Sequence, residues 1–194
     1  MSLKIIAGKF KNHSIKTPEG VLTKPTMSLM RKSVFDICQA YVNESEFLDV
    51  FACSGAMGIE AISRGALHAT FIDNDKRSTK CIEQNMEKLG IRNQGTVLCI
   101  DATDGLKKLA KEGRKFSLVY IDPPYTHLKV SGHSPGEILE LLDSLDLLLP
   151  NALVFIEEAF PASLQPDKME LFKLRHKNSR KFSSSLLHQF TYSL

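Results

Sequence analysis

The chain has 194 residues, 43% hydrophobic and 24% charged, with a formal net charge of +3; this is ordinary globular usage and excludes a disordered chain. No apolar run reaches the ~18 residues of a membrane span, and MSLKIIAGKF lacks a signal-peptide core, so a soluble, unsecreted protein is expected. The four cysteines form no C-x-x-C pair and the six histidines no H-x-x-x-H pattern. Neither a zinc site nor a disulfide framework is therefore expected, and the setting is read as reduced and cytosolic.

Charge is uneven along the chain. Residues 1–34 carry seven Lys/Arg against one acid, residues 168–194 carry six against one, and the intervening body is acidic. Basic ends around an acidic body suit a polyanion-binding protein with a separate small-molecule site. Sparse blocks of this kind are equally the solvated faces of ordinary elements. On the first reading Lys9, Lys11, Lys24, Arg31, Arg180 and Lys181 are the candidate nucleic-acid contacts.

In chain order, LKIIAGKF and HSIKT predict a short hairpin, followed by an amphipathic helix near 28–42. Residues 1–43 then form a basic extension on one domain spanning 1–194. Five apolar runs follow, at 47–52, 68–73, 95–100, 117–121 and 152–158. Between them lie helical stretches: GIEAISRGA, a segment opened by Asp75 and stopped by Gly90, one closed by Gly113, and one over 135–149. This βαβ alternation, with strands apolar on both faces, predicts a parallel sheet covered by helices. MELFKLRHK and FSSSLLHQFTY predict an antiparallel pair at the sheet edge.

In an open α/β sheet, ligands bind outside the carboxyl ends of the strands. After the first core strand comes DVFACSGAMGIEA, where Gly55 and Gly58 let backbone approach a ligand at a helix start. The second strand ends in Asp73, a carboxylate suited to ribose hydroxyls, and the third is followed by Asp101 and Ala102. The fourth runs into Asp122-Pro123-Pro124-Tyr125. Each proline lacks an N–H and fixes φ, so the pair ends the strand and holds Asp122 and Tyr125 rigidly. A strand-ending turn explains any one of these acids; a series along one edge is better explained by a site.

The order D-x-F-x-x-S-G-x-x-G, an acid ending the second strand, DA, then DPPY resembles the Rossmann-like class I S-adenosylmethionine-dependent methyltransferases of exocyclic amines. More closely, IIAGKFK…KTPEG…KPT…MRKSVF with FACSGAMGIEAISRGA is similar to the bacterial methyltransferases of a guanine N2 in small-subunit ribosomal RNA. The resemblance implies a mostly parallel sheet, S-adenosylmethionine as cofactor, no metal, a monomer, and small-subunit ribosomal RNA or an assembling subunit as partner. It implies cofactor contacts at Asp49, Ala52, Cys53, Ser54, Gly55, Gly58, Asp73, Asn74, Asp101, Ala102 and Asp122, and catalysis by Asp122, the Pro123 carbonyl and a base-stacking Tyr125. Departures from the family pattern are Cys53 for a glycine, Leu29 and Lys32 in the N-terminal motif, and Phe182-Ser183-Ser184-Ser185 for Y-G-D-T. Cys53, Cys81 and Cys99 are read as buried small hydrophobes. The same motif order leaves open a DNA adenine-N6 methyltransferase or an inactive RNA-binding assembly factor.

Overall fold

The computed structural model describes residues 2–20, 25–124 and 134–193. A two-stranded antiparallel hairpin, β1 (Ser2–Lys4) and β2 (Ser14–Lys16), precedes α1 (Pro25–Ile37). The core then alternates β3 (Glu46–Val50), α2 (Ala56–Ser63), β4 (His68–Asp73), α3 (Lys76–Leu89), β5 (Gly95–Cys99), α4 (Ala102–Lys111), β6 (Phe116–Ile121), α5 (Pro135–Ser144) and β7 (Leu148–Ala159). An edge hairpin, β8 (Leu174–Phe182) and β9 (Ser185–Tyr192), completes a seven-stranded sheet of order β5-β4-β3-β6-β7-β9-β8. The first five of these pair in parallel and β9 runs antiparallel to both its neighbours. The sheet order reverses between β3 and β6, which puts the ligand crevice of such folds at their carboxyl ends.

Two apolar clusters sandwich the sheet. Phe47, Phe71, Leu118 and Phe155 pack against α1, α2 and α3 on one face, while Leu48, Ile72, Val119 and Ile156 pack against α4 and α5 on the other. Strand alternation makes this division, and each fully buried large side chain contributes about 1.5–3 kcal/mol. It also sends Asp49, Tyr120, Asp122 and Glu157 to the α1 face, since they follow Phe47, Leu118 and Phe155 at two-residue steps.

Buried polar side chains tie the N-terminal hairpin to this body. Glu60 of α2 accepts from the Ile6 and Ala7 N–H groups at 2.8 and 2.9 Å, and Ser63 accepts from Phe10 N–H at 3.0 Å. Asn85 of α3 accepts from Lys16 N–H at 2.7 Å and donates to the Lys16 and Ser54 carbonyls at 2.9 and 3.1 Å.

Boundaries and burial differ from the sequence expectation in several places. The first helix spans Pro25–Ile37 and not 28–42: Pro25 occupies a first-turn position, where its missing N–H is harmless. The helix expected over 135–149 stops at Ser144, and Leu148 and Leu149 begin β7. A leucine run satisfies either period, and Pro150 biases its predecessor to extended backbone. Of the cysteines read as buried, Cys81 is buried, Cys53 is half-buried and Cys99 is exposed at the end of β5.

Candidate active site

The turn after β3 is built from alternating left-handed residues: Phe51, Cys53 and Gly55 have φ of 63°, 51° and 74°. A non-glycine residue in this region carries about 1–2 kcal/mol of strain. Cys53 thus adopts the conformation a glycine would adopt freely, and surrounding bonds hold it there. Its N–H donates to Asp73 Oδ2 at 2.8 Å, Ala52 N–H donates to the Ile72 carbonyl at 3.0 Å, and Ser54 O is held by Asn85. Gly58, expected to let backbone approach a ligand, lies inside α2, where an added Cβ would stand 2.3 Å from the Phe71 ring. Its hydrogen-only side chain serves helix–strand packing, and its N–H donates to Asp49 Oδ2 at 3.0 Å.

Asp73 ends β4 half-buried; its second oxygen accepts from Asp75 N–H at 2.9 Å. Burial raises its pKa, and these backbone donors oppose the rise. Asn74, next in the chain, is exposed. Asp101 caps α4 by accepting from the Thr103 N–H and hydroxyl at 2.9 and 2.8 Å, and buried Ala102 starts that helix. Asp73 and Asp101 sit on adjacent strand ends, joined where Ile100 N–H donates to the Asp73 carbonyl at 3.2 Å.

Across β3, the DPP segment leaves β6 with Asp122 N–H donating to the Val50 carbonyl at 3.2 Å. Among the described residues the Asp122 carboxylate accepts no hydrogen bond. Burial, then Glu157 and Asp49, raise its pKa well above the usual carboxylate range. Asp49 is likewise pushed up to about 8, chiefly by burial. Tyr120 donates its hydroxyl to Glu157 Oε2 at 2.7 Å. These groups, with Arg31, Phe51, Ala52, Cys53, Ser54, Ala56 and Met57, line one cavity of about 50 Å³. Pro123 is buried beside it, and Tyr125 lies outside the described residues.

The expected RNA contacts divide. Arg31 is not on the basic surface: it is 3% exposed, donates Nη2–H to the Lys4 carbonyl at 2.8 Å, and lines the cavity. Its basic sequence neighbours suggest an exposed side chain, whereas α1 turns it toward the sheet. Lys9 and Lys11 are exposed on a turn whose backbone is bound by Ser63, at the far end of α2 from the cavity. Arg180 and Lys181 are exposed near the carboxyl edge, Arg180 being in register with Leu187 and, through it, Glu157. Arg180 also donates to Ser33 Oγ of α1 at 3.0 Å. Lys24 lies outside the described residues.

Sequence reasoning missed Phe160. It is 47% exposed just beyond β7, with Lys181 Nζ 3.5 Å from its ring centroid. Glu158 fixes the following loop by accepting from Ser163 N–H and Leu164 N–H at 2.9 and 3.2 Å, and His188 Nε2 lies 2.8 Å from the same carboxylate. Tyr120 and Glu157 were also missed, although their two-residue offset from Asp122 and Phe155 was available as a signal. Among the described residues no His/Cys/Asp/Glu group could hold a metal, and no helix is long and apolar enough to cross a membrane.

Comparison with known proteins agrees with this fold. Ribosomal RNA small subunit methyltransferase D of Haemophilus influenzae is 30% identical over 173 residues, 88% of this chain and 86% of the relative. Among solved structures, yhhF from Escherichia coli superposes with a TM-score of 0.83 at 23% identity, over 100% of this chain and 99% of that one. The Thermus thermophilus 16S rRNA N2 G1207 methyltransferase (RsmC), in complex with AdoMet and guanosine, has a TM-score of 0.74 at 15% identity, over 100% of this chain and 50% of that one. The model of the family described as Conserved hypothetical protein 95 matches residues 3–187, and the chain belongs to that family, with methyltransferase D among its relatives.

Proposed function

We propose that this protein transfers a methyl group from S-adenosylmethionine to the exocyclic N2 amine of a guanine in small-subunit ribosomal RNA. The observation that carries the reading is the placement of Asp122, unpaired among the described residues, in the cavity that adjoins the 51–55 turn. The names of the relative and of the guanosine-bound neighbour support the substrate class.

The residues present fit the cofactor. Asp73 offers a half-buried carboxylate at the sheet edge for a ribose diol, and the cavity gathers Asp49, Asp122 and Glu157 where a sulfonium cation would be favoured. When bound, the cofactor supplies an electrophilic methyl on that sulfonium. The chain's own task is to make a poor nucleophile attack. A guanine N2 lone pair is conjugated with the ring, so the nitrogen must pyramidalise as its bond to the methyl carbon forms and the carbon–sulfur bond breaks, its electron pair returning to sulfur; one N–H proton then leaves to solvent. The Asp122 carboxylate and the Pro123 carbonyl are assigned to accept from the amine's two N–H groups. These bonds strengthen as positive charge develops on nitrogen, which is selective stabilisation of the transition state. Fixed prolines limit reorganisation, and holding both reactants in line supplies much of the remaining acceleration. Tyr125 is assigned to stacking on the base once it leaves its helix or loop. Arg180 and Lys181, with the Phe160 ring, supply a basic rim for the flanking RNA.

The test is incubation of the protein with labelled S-adenosylmethionine and small-subunit RNA or particles lacking the modification, followed by nucleoside mass spectrometry. N2-methylguanosine is expected. Methylated adenosine would replace the base assignment, and binding without any methylation would make the protein an RNA-binding assembly factor.

A further inference from the structure

We infer that Phe160 is a stacking platform for an unpaired base beside the target nucleotide. The inference deepens the RNA reading above and rests on it. Its starting point is a large apolar ring that the fold leaves 47% exposed directly beyond β7, three residues after Glu157 of the cavity. Three extended residues span at most about 11 Å, so the ring stands on the same edge as the cavity, within reach of a neighbouring nucleotide.

The exposure belongs to a fixed residue. Phe160 N–H donates to the Ser184 carbonyl at 2.9 Å, which ties it to the turn between β8 and β9. On its other side, buried Glu158 holds the following loop through Ser163 N–H and Leu164 N–H, and His188, 1% exposed, backs that carboxylate at 2.8 Å. A ring whose backbone is held before binding loses little freedom when a base stacks on it. Phe172 is the contrast: it is more exposed, at 82%, but it precedes β8, which runs parallel to β7 through their shared antiparallel neighbour β9, so it lies at the opposite edge of the sheet.

The surroundings of Phe160 select a nucleotide. Lys181 Nζ stands 3.5 Å from its ring centroid, and the Arg180 guanidinium carbon 5.4 Å from that of Phe182. Among the described residues no carboxylate forms an ion pair with either cation, so both are open to phosphate. Arg180 also reaches Ser33 of α1, the helix that carries Arg31 into the cavity, which sets these rings and cations along its rim. An aromatic ring beside unpaired cations matches the two parts of a nucleotide, base on the ring and phosphate on the ammonium. A protein partner would have to bring an acid to each cation as well as an apolar contact to the ring. A base inside a duplex is already stacked, so the platform demands an unpaired neighbour; every base has a π-face, so it does not choose which.

The test uses a single-stranded RNA of about nine nucleotides with one central guanosine, and the same RNA with abasic residues on both sides of that guanosine. Fluorescence anisotropy would measure both against wild type, Phe160→Leu and Phe160→Trp, with thermal melting as a check on folding. Wild type is expected to bind the intact strand about 10-fold or more tightly than the abasic one, the scale of aromatic stacking on one base. Phe160→Leu, which keeps apolar bulk without a π-face, should bind the two strands within about 2-fold of each other, and Phe160→Trp should restore the discrimination. Equal wild-type affinity for the two strands overturns the inference whether or not the variants fold, and so does a wild type that binds neither. A folded Phe160→Leu that keeps the discrimination also overturns it, as does one that weakens both strands alike, which would make the ring a brace of the rim. Loss confined to association with assembled subunits would make it a protein contact instead. Methylation of guanosine in subunit particles is read separately: discrimination without methylation keeps the stacking platform and removes the enzyme, and methylation without discrimination does the reverse.

Discussion

Asp73 and Asp122 end strands on either side of β3 and face the same edge, yet the fold treats them oppositely. Asp73 is bonded to the two loops it joins, through Cys53 N–H and Asp75 N–H, whereas among the described residues Asp122 is held by its backbone bond to Val50 and its carboxylate is left among other acids. A carboxylate held by backbone donors on both oxygens is stationary, suited to holding a ligand that does not change. One that burial and like charges keep unsatisfied interacts most strongly when positive charge arrives beside it. On the proposed function, the β4 side of the edge would serve binding and the β6 side reaction.

The sharpest way to break this comparison is Asp122→Ala. If the division holds, single-turnover methylation falls by about 100-fold or more while S-adenosylmethionine affinity stays within a few-fold. Normal transfer by the folded variant would remove Asp122 from the reaction. Asp73→Ala should show the reverse, weakening cofactor binding by about 1.5–3 kcal/mol in calorimetry, with a lowered melting temperature because the Cys53 turn loses its anchor. Unchanged affinity would leave Asp73 as a loop brace alone.

Acidity sharpens the same contrast. With Asp49 pushed up to about 8 and Asp122 also raised, the free site holds extra protons near neutral pH. A cationic sulfonium lowers both pKa values, so its binding expels protons, and affinity rises with pH until those acids are already ionised. S-adenosylmethionine should therefore bind on the order of 20-fold more tightly at pH 8.5 than at pH 6.5, with proton release in calorimetry, if binding fully ionises one acid whose pKa in the free site is about 8. S-adenosylhomocysteine, neutral at sulfur, should respond much less; equal responses would contradict the acidic-cavity account.

At the rim, the comparison becomes one between the two basic ends. Removing two phosphate contacts by Arg180→Ala with Lys181→Ala should flatten the slope of log K against log salt for RNA binding by about 1.4. Lys9→Ala with Lys11→Ala, at the far end of α2, should flatten it less; the opposite ranking would place the RNA on the N-terminal turn. The smallest effect is reserved for Cys53→Gly. Relief of a left-handed φ of 51°, offset by the entropy of glycine, should raise stability by about 0.5–1 kcal/mol in denaturant unfolding. A loss of that size would show that the Cys53 side chain contributes packing that outweighs its strain.

The sequence by itself determined the βαβ alternation, the caps Asp75 and Gly90 of α3, the edge hairpin, and the delivery of Asp73, Asp101 and Asp122 to one edge. Those features are local: a period of two or 3.6, a proline that ends a strand, a glycine that ends a helix, and the rule that strand ends of a parallel sheet share a side. Tertiary structure alone decided that Glu60 and Asn85 bind the N-terminal hairpin, and that Gly58 is small for the sake of Phe71. It also turned Arg31 from a presumed surface charge into a buried cavity residue. Each of these joins residues far apart in the chain, through the angle at which a helix crosses a sheet. No local pattern records that angle, because it is set by how the apolar faces pack once all the elements are present.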